Sequence, residues 1–163
     1  MEFDYIITGA GAAGCVVAGR LAQAGMRVCL VEAGPRDRNP LIAIPGANVV
    51  TGVHPSLNWA YQSEPEPHLN GRSLYWAQGR VLGGSGSING MMYARGQPEN
   101  YAAWAAAGAT GWDYASVLPA YRKAETNERG ESELHGGSGP LQVSKGAGTA
   151  PVCDIFLAAA GEA

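Results

Sequence analysis

Phe3-Asp4-Tyr5-Ile6-Ile7-Thr8-Gly9-Ala10-Gly11-Ala12-Ala13-Gly14 opens the chain, and its reading decides the fold. Phe3 to Thr8 is a short apolar run ending at glycine, the pattern of a buried strand. Ala12 to Ala24 is small and apolar, with Arg20 and Gln23 on what would be the outer face and Gly25 as a stop, so a helix is expected there. Met26 to Val31 is a second buried-strand pattern, and Glu32 stands at its end. Strand, glycine turn, helix and strand within about 30 residues make a parallel βαβ unit over 3–34.

The turn of that unit is Gly-x-Gly-x-x-Gly, placed between a strand and a helix, with an acidic residue 18 positions beyond Gly14. That context gives a glycine pattern its chemical meaning. Gly9 permits the tight turn, Gly11 lets a pyrophosphate reach the backbone, and Gly14 lets helix and strand pack closely. The helix start offers free N–H groups and a positive dipole end to phosphates. Glu32 can accept hydrogen bonds from ribose hydroxyls, whereas an Arg there would suit a 2′-phosphate. The expected ligand is the ADP half of a flavin or nicotinamide cofactor, with NADP disfavoured.

The 163 residues fit one domain large enough to bury a core. Hydrophobic residues make 46% and charged residues 15%, a globular balance. The 24 glycines are about twice the usual share, which suggests loops wrapped around a ligand. Net charge is −3 and no Lys/Arg run occurs, so nucleic acid is not an expected partner. Cys15, Cys29 and Cys153 form no CxxC pair and no metal set; Cys15 and Cys29 read as buried free thiols, in keeping with a reducing compartment. Met1-Glu2-Phe3-Asp4 lacks a basic start and an apolar signal region, and no apolar run approaches a membrane span. The cytoplasm is the expected location, without membrane association.

Beyond Glu32 the strand–helix alternation stops. Gly34 to Pro67 carries prolines at 35, 40, 45, 55, 65 and 67 and reads as a long extended excursion, with a short strand near Trp59-Ala60-Tyr61. Ser73 to Ala77 reads as a strand, and the glycine-rich stretch from Gly79 as a loop leading into a helix through Met92. Helices are expected over 99–107 and 114–125, the second N-capped by Asp113 and kinked or started late at Pro119. Asn127 to Gly139 reads as a surface loop, Leu141 to Ser144 as a strand, and Pro151 to Ala163 as a helix that reaches the last residue without a cap.

The second glycine segment, Gly79-Arg80-Val81-Leu82-Gly83-Gly84-Ser85-Gly86-Ser87-Ile88-Asn89, separates the two cofactor classes. With Tyr93 and Gly96 it resembles the first signature of the glucose–methanol–choline (GMC) oxidoreductases, flavoenzymes that oxidise alcohols. The resemblance extends to Asp4-Tyr5-Ile6-Ile7, Glu32-Ala33-Gly34, Asn58-Trp59-Ala60-Tyr61, Gly111-Trp112, Val117-Leu118-Pro119, His135-Gly136 and Gly139-Pro140-Leu141, so essentially the whole chain. It is most similar to the choline-dehydrogenase-like members. The resemblance implies an α/β, Rossmann-like FAD-binding domain of GMC type, present as an incomplete N-terminal portion over 1–163. It implies FAD on the first motif, with the segment 79–92 along the pyrophosphate and isoalloxazine. The implied cofactor-binding set is Gly9, Gly11, Ala12, Ala13, Gly14, Glu32, Ala33, Arg80, Val81, Gly83, Gly84, Ser87, Asn89, Gly90, Met91 and Met92. Some relatives attach flavin to a histidine just before the signature asparagine; here Ile88 holds that position, which implies noncovalent FAD.

Other residues point less clearly to chemistry. His54, His68 and His135 sit in Pro- or Gly-rich loops and read as solvated or turn residues, without a carboxylate or nucleophile partner at a known spacing. Glu125, Glu128, Glu131 and Glu133 read as a solvated stretch. Trp59, Trp76, Trp104 and Trp112 read as core or cofactor-flanking anchors. The family's catalytic histidine and its partner, and most of its substrate domain, come from later sequence, so no catalytic residue is assigned here. The expected function is therefore the FAD-binding part of an alcohol oxidoreductase, inactive by itself. Its implied partners are a small-molecule alcohol in the full-length enzyme and a complementary C-terminal chain should the enzyme be split. A free-standing nucleotide-binding module without catalysis stays open, as does an NAD-binding domain, against which the second glycine segment argues.

Overall fold

The computed structural model describes residues 2–146 and 150–162, in two compact units, one ending at Met92 and the other starting at Tyr93. In the first unit, β1 (Tyr5–Thr8), α1 (Ala12–Gln23) and β2 (Val28–Val31) form the expected βαβ crossover. The strands are parallel, with Tyr5 opposite Val28 and Thr8 opposite Val31. α1 stops because Gly25 turns the chain at φ 85°, a left-handed value that glycine takes without strain. The strands are not buried as the sequence pattern predicted: Ile6 is 70% exposed, and Leu30 and Val31 are exposed as well. Among the described residues, β1 and β2 have only each other as sheet partners. The thiols follow suit, with Cys15 exposed and Cys29 half-buried, both free.

The proline-rich stretch is more helical than expected. Asn39 caps α2 (Pro40–Ala43), its side chain accepting from the Leu41 N–H at 3.0 Å. A 3₁₀ turn (Pro45–Ala47) runs into α3 (Asn48–Thr51). Pro40 and Pro45 each stand at a first helical position, where the missing N–H has no partner to lose and φ is preset. β3 (Tyr61–Gln62) and β4 (Tyr75–Trp76) make a short antiparallel ribbon. Buried Asn58 fixes its base. Its Nδ2 donates to the Gly52 carbonyl at 2.6 Å, and its Oδ1 accepts from Ala60 at 2.8 Å and Gln78 at 3.0 Å. Leu57, Val81 and Ile88 form a small apolar core, with Ile42 packed against it.

The helix expected through Met92 does not form. Gly84–Ser87 is a single 3₁₀ turn, and no helix follows before Pro98. Asn89 Oδ1 accepts from the Met91 N–H at 2.8 Å, and Met91 takes φ 58°. An Asn that caps the backbone two residues on competes with helix continuation.

In the second unit, α4 (Pro98–Ala106) opens with a capping box in which Gln97 and Asn100 bond each other's backbone. α5 (Tyr114–Ala124) is capped by Asp113, whose side chain accepts from the Ser116 N–H at 3.0 Å. α5 starts at Tyr114 and runs on through Pro119, so the late start does not occur. β5 (Glu125–Asn127) pairs in parallel with β6 (Leu141–Val143). α6 (Pro151–Glu162) matches the last predicted helix as far as Glu162; Ala163 lies outside the described residues. Trp76, Trp104 and Trp112 are exposed rather than core.

Candidate functional site

A cavity of about 640 Å³ lies in the first unit where the β1–α1 turn, the end of β2 and the second glycine segment meet. Gly9, Gly11, Ala12, Ala13 and Gly14 form one wall, and Glu32 and Ala33 form the floor at the tip of β2. The volume suits a cofactor-sized ligand. Gly11 is the N-cap of α1 and no side chain caps the helix, nor does an acidic residue stand in its first turn. The first-turn amides thus meet the cavity with the positive end of the helix dipole, an anion-binding arrangement.

The three glycines of the motif do different work. A Cβ on Gly14 would overlap the Gly9 carbonyl, so this position must stay bare for strand and helix to pack. A Cβ on Gly11 would meet nothing closer than Gly84 Cα at 3.9 Å, so the fold itself leaves room there. The packing around Gly11 thus tolerates a single added carbon. Glu32 lines the cavity just past the end of β2. Its Oε2 accepts from the Ala10 N–H at 2.7 Å and its Oε1 from the Gly34 N–H at 2.9 Å. Each oxygen keeps acceptor capacity for a hydroxyl pair.

The cavity is also lined by Gly79, Ser85 and Gly86 of the second glycine segment and by Trp59, all expected near the cofactor, and by Thr8, Val31 and Gln78, which the sequence did not single out. Trp59 is brought there by the Asn58 anchor. The Arg80 guanidinium lies 5.4 Å from the Trp59 ring centre and also donates to the Pro55 carbonyl at 3.3 Å. Tyr61 stacks parallel to Trp59 at 6.1 Å. Nothing in the spacing of Trp59 announces this, because Asn58, twenty residues from Gln78, makes the juxtaposition.

Two glycine loops with a helix N-terminus between them and an acidic floor match one family model, that of GMC oxidoreductase, over residues 3–163. The chain belongs to the GMC oxidoreductase family. It is 48% identical over 99% of its length to an alcohol dehydrogenase [acceptor] of Pseudomonas putida and 45% identical over 99% to the mitochondrial choline dehydrogenase of Homo sapiens. The crystal structure of pyridoxine 4-oxidase from Mesorbium loti superposes on 99% of the chain with a TM-score of 0.90 at 32% identity. The chain spans 30%, 29% and 32% of the length of these three proteins. It is the N-terminal, FAD-binding region of a GMC oxidoreductase, with the α/β fold expected from its sequence.

Of the family-implied cofactor set, the GMC region brings Gly9, Gly11, Ala12, Ala13, Gly14, Glu32, Ala33 and Gly84 to the large cavity. Ser87, Asn89 and Met91 line a second cavity of about 130 Å³, walled also by Ile42, Pro45 and Asn48. Gly86 borders both. Val81 is fully buried in the apolar core, and Arg80 turns to Trp59. Gly83 donates its N–H to the Ala10 carbonyl at 2.7 Å. Gly90 lies near Asn48, and Met92 is 92% exposed.

The second unit holds a charged cluster that sequence reading missed. Glu125 is fully buried, not solvated. Its Oε2 takes the Arg95 guanidinium at 2.7 Å and its Oε1 takes His135 Nδ1 at 2.7 Å and the Gly136 N–H at 3.2 Å. A carboxylate only accepts, so His135 Nδ1 carries the proton. His135 is thus partnered, not a solvated loop residue. Burial pushes the Glu125 carboxyl up, but Tyr93, His135, Arg95 and the Gly136 amide outweigh it and hold the group at about 2. Arg95 also donates to the Leu134 carbonyl at 2.6 Å and lies 4.9 Å from the Tyr121 ring centre. Desolvation lowers the Arg95 pKa, but Tyr93, Glu125 and Tyr114 raise it by more. Among the described residues, no group of three or more His, Cys, Asp or Glu is placed to hold a metal ion, and no helix is long and apolar enough to cross a membrane.

Proposed function

We propose that residues 1–163 are the FAD-binding portion of a cytoplasmic, flavin-dependent oxidoreductase acting on CH–OH groups, and that this portion is inactive by itself. The observation that carries the reading is the cavity that joins the uncapped N-terminus of α1, the Glu32 floor and the Gly84–Gly86 wall. The residues fit the cofactor. The α1 amides would offset the pyrophosphate charge, Glu32 would accept from the adenosine ribose, and bare Gly11 would let the phosphates approach. Trp59 and Gln78 would wall the same half, and Ser87, Asn89 and Met91 would flank the flavin end.

FAD, when bound, supplies a hydride acceptor for alcohol oxidation. The proton of the alcohol needs a base, and we assign none to this chain; the base and the substrate pocket would come from the remaining length of such an enzyme. Ile88 is buried among Leu57 and Val81 and offers no nucleophile, which supports noncovalent binding. A small alcohol is the expected substrate of the whole enzyme, in line with the names of its relatives.

The test is an absorbance spectrum of the purified chain between about 300 and 550 nm, followed by acid precipitation. A flavin spectrum that moves to the supernatant is the expected result. Gly11→Val should lose the flavin, because its side chain would stand where the pyrophosphate approaches the backbone. Flavin retained in the pellet would refute noncovalent binding, and a colourless chain that binds ADP or NAD would refute the flavin assignment. Full flavin content in Gly11→Val would refute the placement of the pyrophosphate.

A further inference from the structure

The second glycine segment makes more contacts with the first than a flavin neighbour requires. Gly84 is buried and takes φ 59°. A Cβ there would lie 2.7 Å from Gly11 Cα, 3.6 Å from its N and 3.9 Å from its carbonyl carbon. One residue earlier, the Gly83 N–H donates to the Ala10 carbonyl at 2.7 Å. The N–H of that same Ala10 donates to Glu32 Oε2. Glu32 Oε1 takes the Gly34 N–H, and the next residue, Pro35, accepts from the Leu82 N–H at 2.9 Å. Gly34 is pressed against the Arg80–Val81 peptide so closely that a Cβ would overlap it. The first glycine loop, the tip of β2 and the second glycine loop therefore close into a ring of contacts, each segment touching the other two. No ligand takes part.

From this ring we infer that Gly84 is a positioning residue for the dinucleotide: by backbone contact with Gly11 it fixes where the phosphate-facing amides of α1 point, before any cofactor arrives. The inference rests on the reading of the large cavity given above. A preset loop needs little ordering on binding, and that saving appears as affinity. A methyl group on Gly84 pushes Gly11 away and also strains a left-handed backbone. The phosphate seat shifts although the altered residue lies over seventy positions away in sequence.

The experiment measures ADP affinity and thermal midpoint together, by calorimetry and near-UV circular dichroism, in wild type, Gly84→Ala and Gly139→Ala. Gly139 is packed against the Ala124–Glu125 backbone in the second unit, so its alanine variant is a control for lost stability. Gly84→Ala should weaken ADP binding by about tenfold or more well below its own midpoint. Gly139→Ala should lower the midpoint and leave ADP affinity within about twofold. A merely structural Gly84 would move the midpoint and not the affinity, and that result overturns the inference. If wild type takes up no ADP, the functional reading falls and this inference with it. If wild type binds and Gly84→Ala binds as tightly, only this inference falls. Should Gly84→Ala not fold, amide exchange in the ligand-free wild type decides. The Ala10 and Gly83 amides should exchange at least about a hundredfold more slowly than unstructured ones, and exchange at the unstructured rate overturns the preset ring.

Discussion

Glu125 shows how a single side chain changes meaning between sequence and structure. In the sequence it opens a polar stretch with Glu128, Glu131 and Glu133, and nothing in its spacing distinguishes it from them. In the fold it is the fully buried acceptor for a guanidinium, an imidazole and a backbone amide. Its carboxyl is held at about 2, below the ordinary 4.5. The sign of the linkage follows. A carboxyl depressed in the folded state stabilises the fold above its unfolded value, and the contribution fades as pH falls from about 4.5 towards 2. Denaturant midpoints measured down this range should fall steeply in wild type. In Glu125→Gln the midpoint should be lower at neutral pH and much flatter in acid. Parallel acid profiles in the two proteins would show that the buried ion pair does not govern acid stability. Removing the partner instead, as in Arg95→Met, strands the buried carboxylate and should cost about 3–5 kcal/mol.

At the scale of elements, the βαβ unit was readable because one face rule, one glycine turn and one acidic residue all agree within a short span. Even there the strand starts were set too early, at Phe3 and Met26 rather than Tyr5 and Val28. The apolar run says which residues avoid water, not which pair. Two later elements escaped for local reasons. Asn89 ends the expected helix by capping Met91, and Pro40 and Pro45 start helical turns where prolines had suggested extension. The candidate site divided in the same way. Gly9, Gly11, Gly14 and Glu32 could be placed from their own spacing, whereas Trp59 and Gln78 are brought together by long-range bonds, Gln78 N–H to Asn58 Oδ1 and Trp59 N–H to the Gln78 carbonyl. The β3–β4 ribbon has two residue pairs and is too short to persist unaided. Asn58 anchors its base with three bonds to backbone, beside the flanking Trp59–Gln78 and Ser63–Leu74 backbone bonds. Asn58→Ala should cost about 1–3 kcal/mol by removing three hydrogen bonds of a buried amide. It should also shift Trp59 fluorescence to the red and speed proteolysis between Gln62 and Arg72. Unchanged emission and cleavage would mean that the ribbon holds without it.

For the molecule as a whole, the distribution of apolar surface is the decisive quantity. Ile6, Val16 and Val17 of the βαβ unit are exposed, and in the second unit Ile155, Phe156 and Leu157 of α6 stand free, Phe156 at 73% exposure. Single exposed apolar residues are ordinary, but contiguous ones on a strand and a helix mark surface that favours burial. The 163-residue chain alone should therefore bind a hydrophobic dye such as ANS and self-associate as its concentration rises. A cooperative thermal transition in a dye-free monomer would sink that expectation. Cofactor should act in the opposite direction by mass action, because the proposed FAD site exists in the folded chain and not in the unfolded one. FAD at about a hundred times its dissociation constant adds about 2.7 kcal/mol to the unfolding free energy. The cavity lies in the first unit, so the stabilisation is expected there. Amide exchange with and without FAD should thus slow around Ala10, Glu32 and Gly84 while the amides of α5 stay as they were. Equal slowing in both units would mean that they unfold as one, and no slowing in either would mean that the cavity does not bind the cofactor.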